Sequence, residues 1–186
     1  MNFANPLPNP PELPGMPAHY VQTHKIFMDT CTLLHPTAPK LLDRLEPMLI
    51  RFGNRLIVPN RCIEELNRFA TGKFGKSKAR KSLEELQCLR NHAVFALQRL
   101  QRMKQHGTLV IRGSERDNFA DNVFLTVFTQ FRRQYPLMLI TQDRCLAEDI
   151  SGLNRIRSVA GRPIVVRRLD GSGKLCRFYD GVPDVC

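Results

Sequence analysis

The sequence predicts an α/β fold with a mostly parallel sheet that helices cover on both faces. Short apolar runs, which are typical of buried strands, alternate along the chain with longer segments whose apolar residues recur at helical spacing. Strands that alternate with helices in this way favour parallel pairing. Hydrophobic residues make up 42% of the 186, so one domain can bury a core without the help of disulfides.

Four apolar runs predict the strands of this sheet, and a C-terminal segment predicts a hairpin. The expected strands are KIFMD (25–29), RLIVP (55–59), TLVIRG (108–113) and LMLITQD (137–143). Near the C-terminus, GRPIVVRRL, the turn DGSG and KLCRFYD together predict a C-terminal β-hairpin.

The segments between these runs predict the helices. Their expected ranges are 39–52, 60–70, 78–106, 117–135 and 144–152. The first is expected as one or two short helices broken near Pro47, because proline removes a helical hydrogen bond. Asn60 is expected to cap the second.

Domain organisation is expected to be simple. Residues 1–20 are rich in proline and predict an extended tail that is disordered, laid across a partner or without a specific role. Residues 21–155 would form the folded domain, including a basic helical segment at 72–106. Residues 156–186 would add a C-terminal strand and hairpin.

The charge of the chain narrows the choice of partner. Lys and Arg number 28 against 17 Asp and Glu, a net charge of +11, which favours nucleic acid, an anionic membrane or an acidic protein. No apolar run approaches the ~20 residues of a membrane span, and the N-terminus has no signal-peptide pattern. The six cysteines form no C-x-x-C pair, so we expect free thiols in the cytoplasm rather than a zinc site.

Two of the predicted strands end on aspartate, at the edge of the sheet where α/β proteins bind ligands. These residues are Asp29 after KIFM and Asp143 after LMLITQ. Either one alone has two interpretations, since Asp is also common as a turn former or helix cap where a strand leads into a helix.

The predicted helix 117–135 carries a carboxylate on its apolar side. That side consists of Ala120, Val123, Phe124, Val127, Phe128 and Phe131. Asp121 lies within this stripe, where an ionised carboxylate is costly unless a cation meets it. Asp117 lies one turn earlier on the same side, where a helix cap also explains it.

The predicted helix 60–70 offers a choice between two adjacent acids. Glu65 flanks the apolar side, whereas Glu64 points away and precedes Arg68 by four residues, as an ion-pair partner would. Asp29, Glu65, Asp121 and Asp143 could therefore converge on one rim. Four such oxygen ligands suit Mg²⁺ or Mn²⁺, which can activate water and stabilise a leaving oxygen in phosphate chemistry. In so basic a protein, the phosphate would belong to nucleic acid.

Four segments resemble, in sequence and order, the PIN domain family of metal-dependent nucleases. They are FMDTCTLL, VPNRCIEELNRF, DNFADNVFLTVF and LITQDRCL. The resemblance implies a Rossmann-like PIN fold and endonucleolytic hydrolysis of single-stranded RNA that leaves a 5′-phosphate and a 3′-hydroxyl. It places Asp29, Glu65, Asp121 and Asp143 on the family's metal-site positions. Asp117 is expected to be an outer-shell or auxiliary acid.

Further details extend this resemblance. Thr141 matches a position where the family often has a Thr or Ser that helps to hold the metal or the phosphate. Asn122 departs from the double Asp of some relatives and leaves the number of metal ions open. The run VPNRCIEELNRFATGKFGKSKAR followed by LITQDR looks most like the PIN domains fused to PhoH-type ATPases, although no G-x-x-x-x-G-K-[ST] motif is present here.

The basic segment between Lys73 and Lys104 is expected to hold RNA phosphates near the carboxylates. The contacts would come from Lys73, Lys76, Lys78, Arg80, Lys81 and Arg144. The helix in this segment also has an apolar seam with 4-3 spacing, which would pack against the domain, a second subunit or another partner. That seam consists of Ser82, Leu86, Leu89, Ala93, Ala96, Leu100 and Met103.

A second basic group and three other functions stay open. Around the hairpin, Arg167, Arg168, Lys174 and Arg177 either extend the phosphate track or keep an edge strand soluble. The alternative functions are an RNA-binding PIN module with little catalysis, a toxin-type ribonuclease controlled by a protein partner, and a DNA nuclease of the flap-nuclease group. The full set of carboxylates argues against the first, and the length of the chain against the last.

Overall fold

One six-stranded sheet organises the protein. The computed structural model describes residues 13–74, 81–113, 120–156 and 161–178, with only the backbone for residues 120–123. In chain order the strands are β1 (Lys25–Met28), β2 (Leu56–Pro59), β3 (Leu109–Arg112), β4 (Leu137–Ile140), β5 (Ile164–Leu169) and β6 (Leu175–Arg177). The helices are α1 (Ala18–Thr23), α2 (Thr30–Leu33), α3 (Ala38–Phe52), α4 (Asn60–Ala70), α5 (Leu83–Gln105), α6 (Ala120–Phe131) and α7 (Arg144–Gly152).

The strand order is β3-β2-β1-β4-β5-β6. Strands β1 to β5 are parallel, and β6 runs antiparallel to β5, so the predicted fold class is confirmed. The first strand of the predicted hairpin is also a strand of the main sheet, since the first four residues of β5 pair with all four residues of β4. The order of the strands changes direction at β1 and β4. The carboxyl ends of these two neighbours therefore form the switch point at which such sheets bind ligands.

Helices cover both faces of the sheet, as its buried strands require. All four residues of β4 are buried. Since parallel crossovers are right-handed, the helices that connect β1, β2 and β3 lie on one face, and α6 and α7 lie on the other. On the α6 side, Phe27 of β1 packs against Phe124 and Phe128, with ring centroids 6.5 and 4.9 Å apart. None of the described helices has the length and hydropathy to span a membrane, and none of the described cysteines forms a disulfide.

The C-terminal half of the predicted apolar seam of helix α5 is buried. Ala93, Ala96, Leu100 and Met103 are buried, and the helix packs against α3 and α4 of its own chain. It begins at Leu83, later than expected, because Ser82 and Glu85 form a capping box. The buried half of the seam thus faces the domain itself.

Pro47 does not break α3, and that expectation was wrong. A single helix runs through the proline. Leu45 before it and Met48 and Leu49 after it are buried on one side, so the packing of both halves outweighs the hydrogen bond that proline removes.

Two expectations about helix ends were also wrong. Asn60 is the first residue of α4 and not its cap, because Pro59 still pairs with Arg112 in β3 and leaves no residue between strand and helix. Helix α6 ends at Phe131, whose side chain is 43% exposed, whereas Arg132 is only 3% exposed. Arg132 continues the four-residue spacing of Phe124 and Phe128, and its guanidinium donates to the carbonyl of Leu153.

The described end of the proline-rich segment belongs to the folded domain. Leu13 and Met16 are buried. The amide of Leu175 in β6 donates to the carbonyl of Pro14 at 3.0 Å, a typical distance for a backbone hydrogen bond. Gly15 has φ +83° and lies so close to β6 that a Cβ would meet the Leu175 carbonyl oxygen at 1.9 Å. Residues 1–12 of the predicted tail lie outside the described residues.

A buried cluster of polar contacts around Glu46 joins α3, the C-terminal half of α5 and the residue before β3, away from the carboxyl edge. The Glu46 side chain in α3 lies 2.8 Å from Nη2 of Arg99 in α5 and is only 7% exposed. Its other oxygen contacts Nδ1 of His106 at 2.9 Å and accepts from the hydroxyl of Thr108 at 3.2 Å. The same guanidinium lies 3.0 Å from Asp43, whose side chain is 66% exposed.

We expect Glu46→Ala to lower the free energy of unfolding by about 3 kcal/mol, because it leaves the largely buried Arg99 without its main counter-charge. Asp43→Ala removes the exposed partner of the same guanidinium and should cost less than about 1 kcal/mol. Urea unfolding monitored by circular dichroism measures both. Equal losses in the two variants would contradict this account of the contact.

Candidate active site at the carboxyl ends of β1 and β4

The two aspartates that follow predicted strands lie at the ends of adjacent parallel strands. Met28 of β1 is in register with Ile140 of β4, so Asp29 and Thr141 are the next residues on the two neighbours. The carbonyl of Ile140 accepts the amide of Asp29 at 3.4 Å and the hydroxyl of Thr32 at 3.0 Å. These contacts fix the end of β1 against the end of β4.

The hydroxyl of Thr141 connects Asp29 to Asp143. It donates to Oδ2 of Asp29 at 2.5 Å and accepts the backbone amide of Asp143 at 2.9 Å. Thr141 is completely buried, and its own amide donates to the carbonyl of Arg167 in β5 at 2.9 Å. One side chain therefore orients a carboxylate on β1 and the backbone that carries a second carboxylate after β4.

Both aspartates are also helix caps. Oδ1 of Asp29 accepts the amide of Thr32 at 2.8 Å at the start of α2, and Oδ1 of Asp143 accepts the amide of Leu146 at 3.1 Å at the start of α7. A carboxylate has about four acceptor positions, so capping leaves capacity for another ligand. The two interpretations of each residue, cap and metal ligand, are thus compatible.

Negative charge is concentrated here and partly desolvated. Asp29 is 4% exposed, and burial raises its pKa to about 6, although hydrogen bonds from Thr141 and Thr32 act in the opposite direction. The charge of Asp143 raises this pKa further. In the described parts of the chain, no Lys or Arg forms an ion pair with Asp29, Glu65 or Asp143.

Glu65 is held beside Asp29 by the residue that follows Asp29. The hydroxyl of Thr30 donates to Oε2 of Glu65 at 2.6 Å, which turns this carboxylate of α4 toward α2. Glu64 instead lies 2.6 Å from Nη1 of Arg61 and accepts from the side chain of Asn60. The outward acid therefore pairs with Arg61 and not with Arg68 as expected.

A buried cysteine lies within the field of these acids. Burial raises the pKa of the Cys62 thiol to about 12, and the charges of Asp29 and Glu65 act in the same direction. The thiol is therefore neutral at physiological pH and is not a candidate nucleophile.

The remaining predicted ligands are only partly described. Asp121 is the second residue of α6, of which the backbone alone is described at this point, and Asp117 lies outside the described residues. Among the described side chains, no group of three or more His, Cys, Asp or Glu is placed to hold a metal ion. The convergence of all four carboxylates stays a prediction.

The predicted phosphate contacts are also partly described. Lys73 and Lys81 are exposed on either side of a gap that contains Lys76, Lys78 and Arg80, which lie outside the described residues. Lys81 lies 3.7 Å from Glu85. Arg144, directly after Asp143, has a 76% exposed side chain and contacts Glu148 at 2.9 Å.

Thr30 and Thr32 also contact the residues of this site, and the sequence did not indicate this. Their hydroxyls contact Glu65 and the Ile140 carbonyl, respectively. The signal was present in the run MDTCTLL, where two threonines follow the strand-ending aspartate at the first and third positions. Because their partners are 35 and 108 residues away, the sequence alone did not indicate what they contact.

We expect Thr141→Val to lower the free energy of unfolding by about 2 kcal/mol, since it leaves the buried Asp29 carboxylate without a hydroxyl donor. Thr141→Ser keeps the hydroxyl and should retain most of that stability. Chemical unfolding in the presence of EDTA makes the comparison without metal. If the serine variant lost as much stability as the valine variant, the methyl group rather than the hydroxyl would be the important part of Thr141.

Comparison with known families agrees with this geometry. The family model described as PIN domain matches residues 26–149, which extend from β1 into α7. The matched region contains Asp29, Glu65, Asp121, Thr141 and Asp143. No curated protein matches the chain. Members of the matched family are generally nucleases and typically depend on divalent metal ions. The chain belongs to the PIN domain family.

Proposed function

We propose that the protein is a metal-dependent endoribonuclease that hydrolyses phosphodiester bonds in single-stranded RNA. The observation that carries the proposal is the hydrogen-bonded unit of Asp29, Thr141 and Asp143 at the carboxyl ends of two adjacent parallel strands. Glu65 is held next to this unit through Thr30. Family membership supports nuclease chemistry in general, and the excess of basic residues supports a polyanionic substrate.

The donor set fits Mg²⁺ or Mn²⁺. The available groups are carboxylate oxygens, which hard divalent cations prefer, and Asp29 is a largely buried acid that favours a positive neighbour. Asp29, Glu65, Asp121 and Asp143 would hold the ion, with Asp117 as an auxiliary acid. When bound, such an ion supplies an activated water and stabilises charge on the leaving oxygen.

Thr141 has a more specific role in this proposal than that of an auxiliary ligand. Its hydroxyl already donates to Asp29 and accepts from the amide of Asp143, and its side chain is completely buried. We therefore assign Thr141 to orienting the two aspartates. Side chains that orient ligands in this way commonly affect metal affinity by about 10- to 100-fold.

Cationic side chains would hold the RNA backbone across the carboxylates. Lys73, Lys76, Lys78, Arg80 and Lys81 lie in and around the segment between α4 and α5, and Arg144 follows Asp143 directly. The contact of Arg144 with Glu148 is an exposed ion pair within one helix, and such pairs contribute only about 0.3–0.5 kcal/mol. Exchanging it for an RNA phosphate would therefore cost little.

The main rival is a PIN-fold module that binds RNA without cleaving it. Burying the Asp29 carboxylate next to Asp143 costs stability in the absence of a cation. RNA binding alone does not require two carboxylates so close together, whereas locally unfavourable charges of this kind are common at functional sites.

The direct test is cleavage of a labelled single-stranded RNA, and of the matching DNA, in Mn²⁺, Mg²⁺ or EDTA. We expect RNA cleavage that EDTA abolishes. Asp121→Asn and Asp143→Asn should each reduce it by more than about 100-fold, because each removes a charged ligand rather than a group that only supports one. RNA binding should persist in both variants.

Asp149→Asn is the matched control, because Asp149 is an exposed aspartate on the same helix that Asp143 caps. This variant should cleave like the wild type. Cleavage that survived in both Asp121→Asn and Asp143→Asn would remove the carboxylate site from the proposal. Metal-independent RNA binding without turnover in the wild-type protein would favour the binding module.

Metal binding itself can be measured through stability. At a metal concentration about 100 times Kd, the wild type should gain about 2.7 kcal/mol, a rise in Tm of roughly 5–10 °C for a chain of this size. Asp29→Asn should match or exceed the wild-type Tm in EDTA, because it removes a buried charge, and should lose most of the rise on adding Mn²⁺. Thermal unfolding with Asp149→Asn as control decides the matter, since an equal metal effect in all three proteins would exclude Asp29 as a ligand.

A further inference from the structure

A basic pocket lies between the β5–β6 hairpin and the segment from Gly15 to Tyr20, which includes the start of α1. Its volume is about 390 Å³. Its lining includes Arg167, Lys174 and Arg177, together with Tyr20, and the described part of the lining contains no acidic residue. None of these residues belongs to the carboxylate site or to the basic segment between α4 and α5.

The pairing of β5 with β6 brings two of the cations face to face. Arg167 and Arg177 are directly opposite in the antiparallel register. Like charges at such positions repel, and an anion that contacted both side chains would offset this repulsion. Asp170 in the connecting turn is engaged there, because its carboxylate accepts the amides of Ser172 and Lys174, both at 2.9 Å.

Arg167 is a positioned cation rather than a mobile surface side chain. It is only 6% exposed, its guanidinium carbon lies 5.9 Å from the ring centroid of Tyr20, and Nη1 donates to the carbonyl of Val166 at 3.3 Å. A guanidinium fixed in this way is well suited to phosphate, whose oxygens match its planar donors.

The pocket is connected to the carboxylate site through one strand pairing. The carbonyl of Arg167 accepts the amide of Thr141 at 2.9 Å, and Thr141 is the residue that orients Asp29. The turn between β5 and β6 follows the carboxyl end of β5, so Lys174 stands at the same edge of the sheet as Asp29 and Asp143. Neighbouring strands are about 4.8 Å apart, so one extended RNA strand can reach from the carboxylate site to the hairpin.

We propose that this pocket binds a backbone phosphate of the RNA strand that the carboxylates cleave. The RNA would then cross the carboxyl ends of the strands from the segment between α4 and α5 to the β5–β6 hairpin. This inference rests on the proposed ribonuclease function for the identity of its ligand. It assigns Arg167, Lys174 and Arg177 to RNA binding rather than to keeping the edge strand soluble.

The test compares two double variants that each remove two exposed positive charges. Lys174→Gln with Arg177→Gln changes the pocket and leaves the buried Arg167 in place. Arg51→Gln with Arg55→Gln is the control, because these exposed residues lie at the end of α3 and directly before β2, at the edge of the sheet opposite to its carboxyl edge. Fluorescence anisotropy with a labelled single-stranded RNA in EDTA measures binding without cleavage, over a series of salt concentrations.

We expect the pocket variant to bind RNA about tenfold more weakly at low salt, with a salt dependence reduced by about 1–2 in the logarithmic slope. The control should stay close to the wild type. Equal weakening of both variants would overturn the proposal, because it would show a general effect of charge. Unchanged RNA affinity in the pocket variant would also overturn it, because the pocket would then make no energetically important contact with the RNA backbone.

Cleavage by the same proteins separates this proposal from the ribonuclease function. Wild-type cleavage together with RNA binding that is equal in the wild type and the pocket variant would reject the pocket alone. A wild-type protein that binds but does not cleave RNA, with a selective loss of affinity in the pocket variant, would reject the ribonuclease and support the pocket as an RNA-binding site.

Discussion

The hydroxyl group of Thr141 is the contact on which the carboxyl edge of the sheet depends. Through its side chain, Thr141 fixes the Asp29 carboxylate of one strand and the amide of Asp143 after another. Through its backbone, it pairs with β5. Three strands thus meet at one completely buried residue. The positions of the two aspartates relative to each other follow from this contact and from the register of β1 with β4.

The same aspartates serve the fold and the site. Each begins a helix by accepting a backbone amide, and the capping bond holds the carboxylate where the strand delivers it. This dual use makes a partly desolvated acid tolerable, because the bonds from Thr32 and Thr141 offset part of the cost of burying Asp29. It also means that removing either acid affects a helix terminus as well as the candidate metal site.

Local patterns in the sequence were enough to predict the strands, the parallel sheet and the position of Asp29 and Asp143 at its carboxyl edge. The seam of α5 and the orientation of Glu65 also follow from helical spacing. Other features depend on distant partners. The bonds of Thr141 and Thr32 connect residues 112 and 108 positions apart, and they require the register of β1 against β4, which no local pattern contains. Packing against distant residues also determines that Arg132 is buried while Phe131 is exposed, and that α3 stays continuous through Pro47.

Strand β5 belongs to the central sheet but lies outside the region that matches the family. The family match ends at residue 149, within α7, whereas β5 begins at Ile164. In a fragment cut at the end of the match, β4 would become an edge strand. The backbone groups that now pair with β5 would be exposed beside the apolar run Leu137–Ile140, a combination that promotes aggregation. The C-terminal strands therefore protect β4, the strand that leads into Thr141, and recombinant expression of this PIN domain should extend through β6.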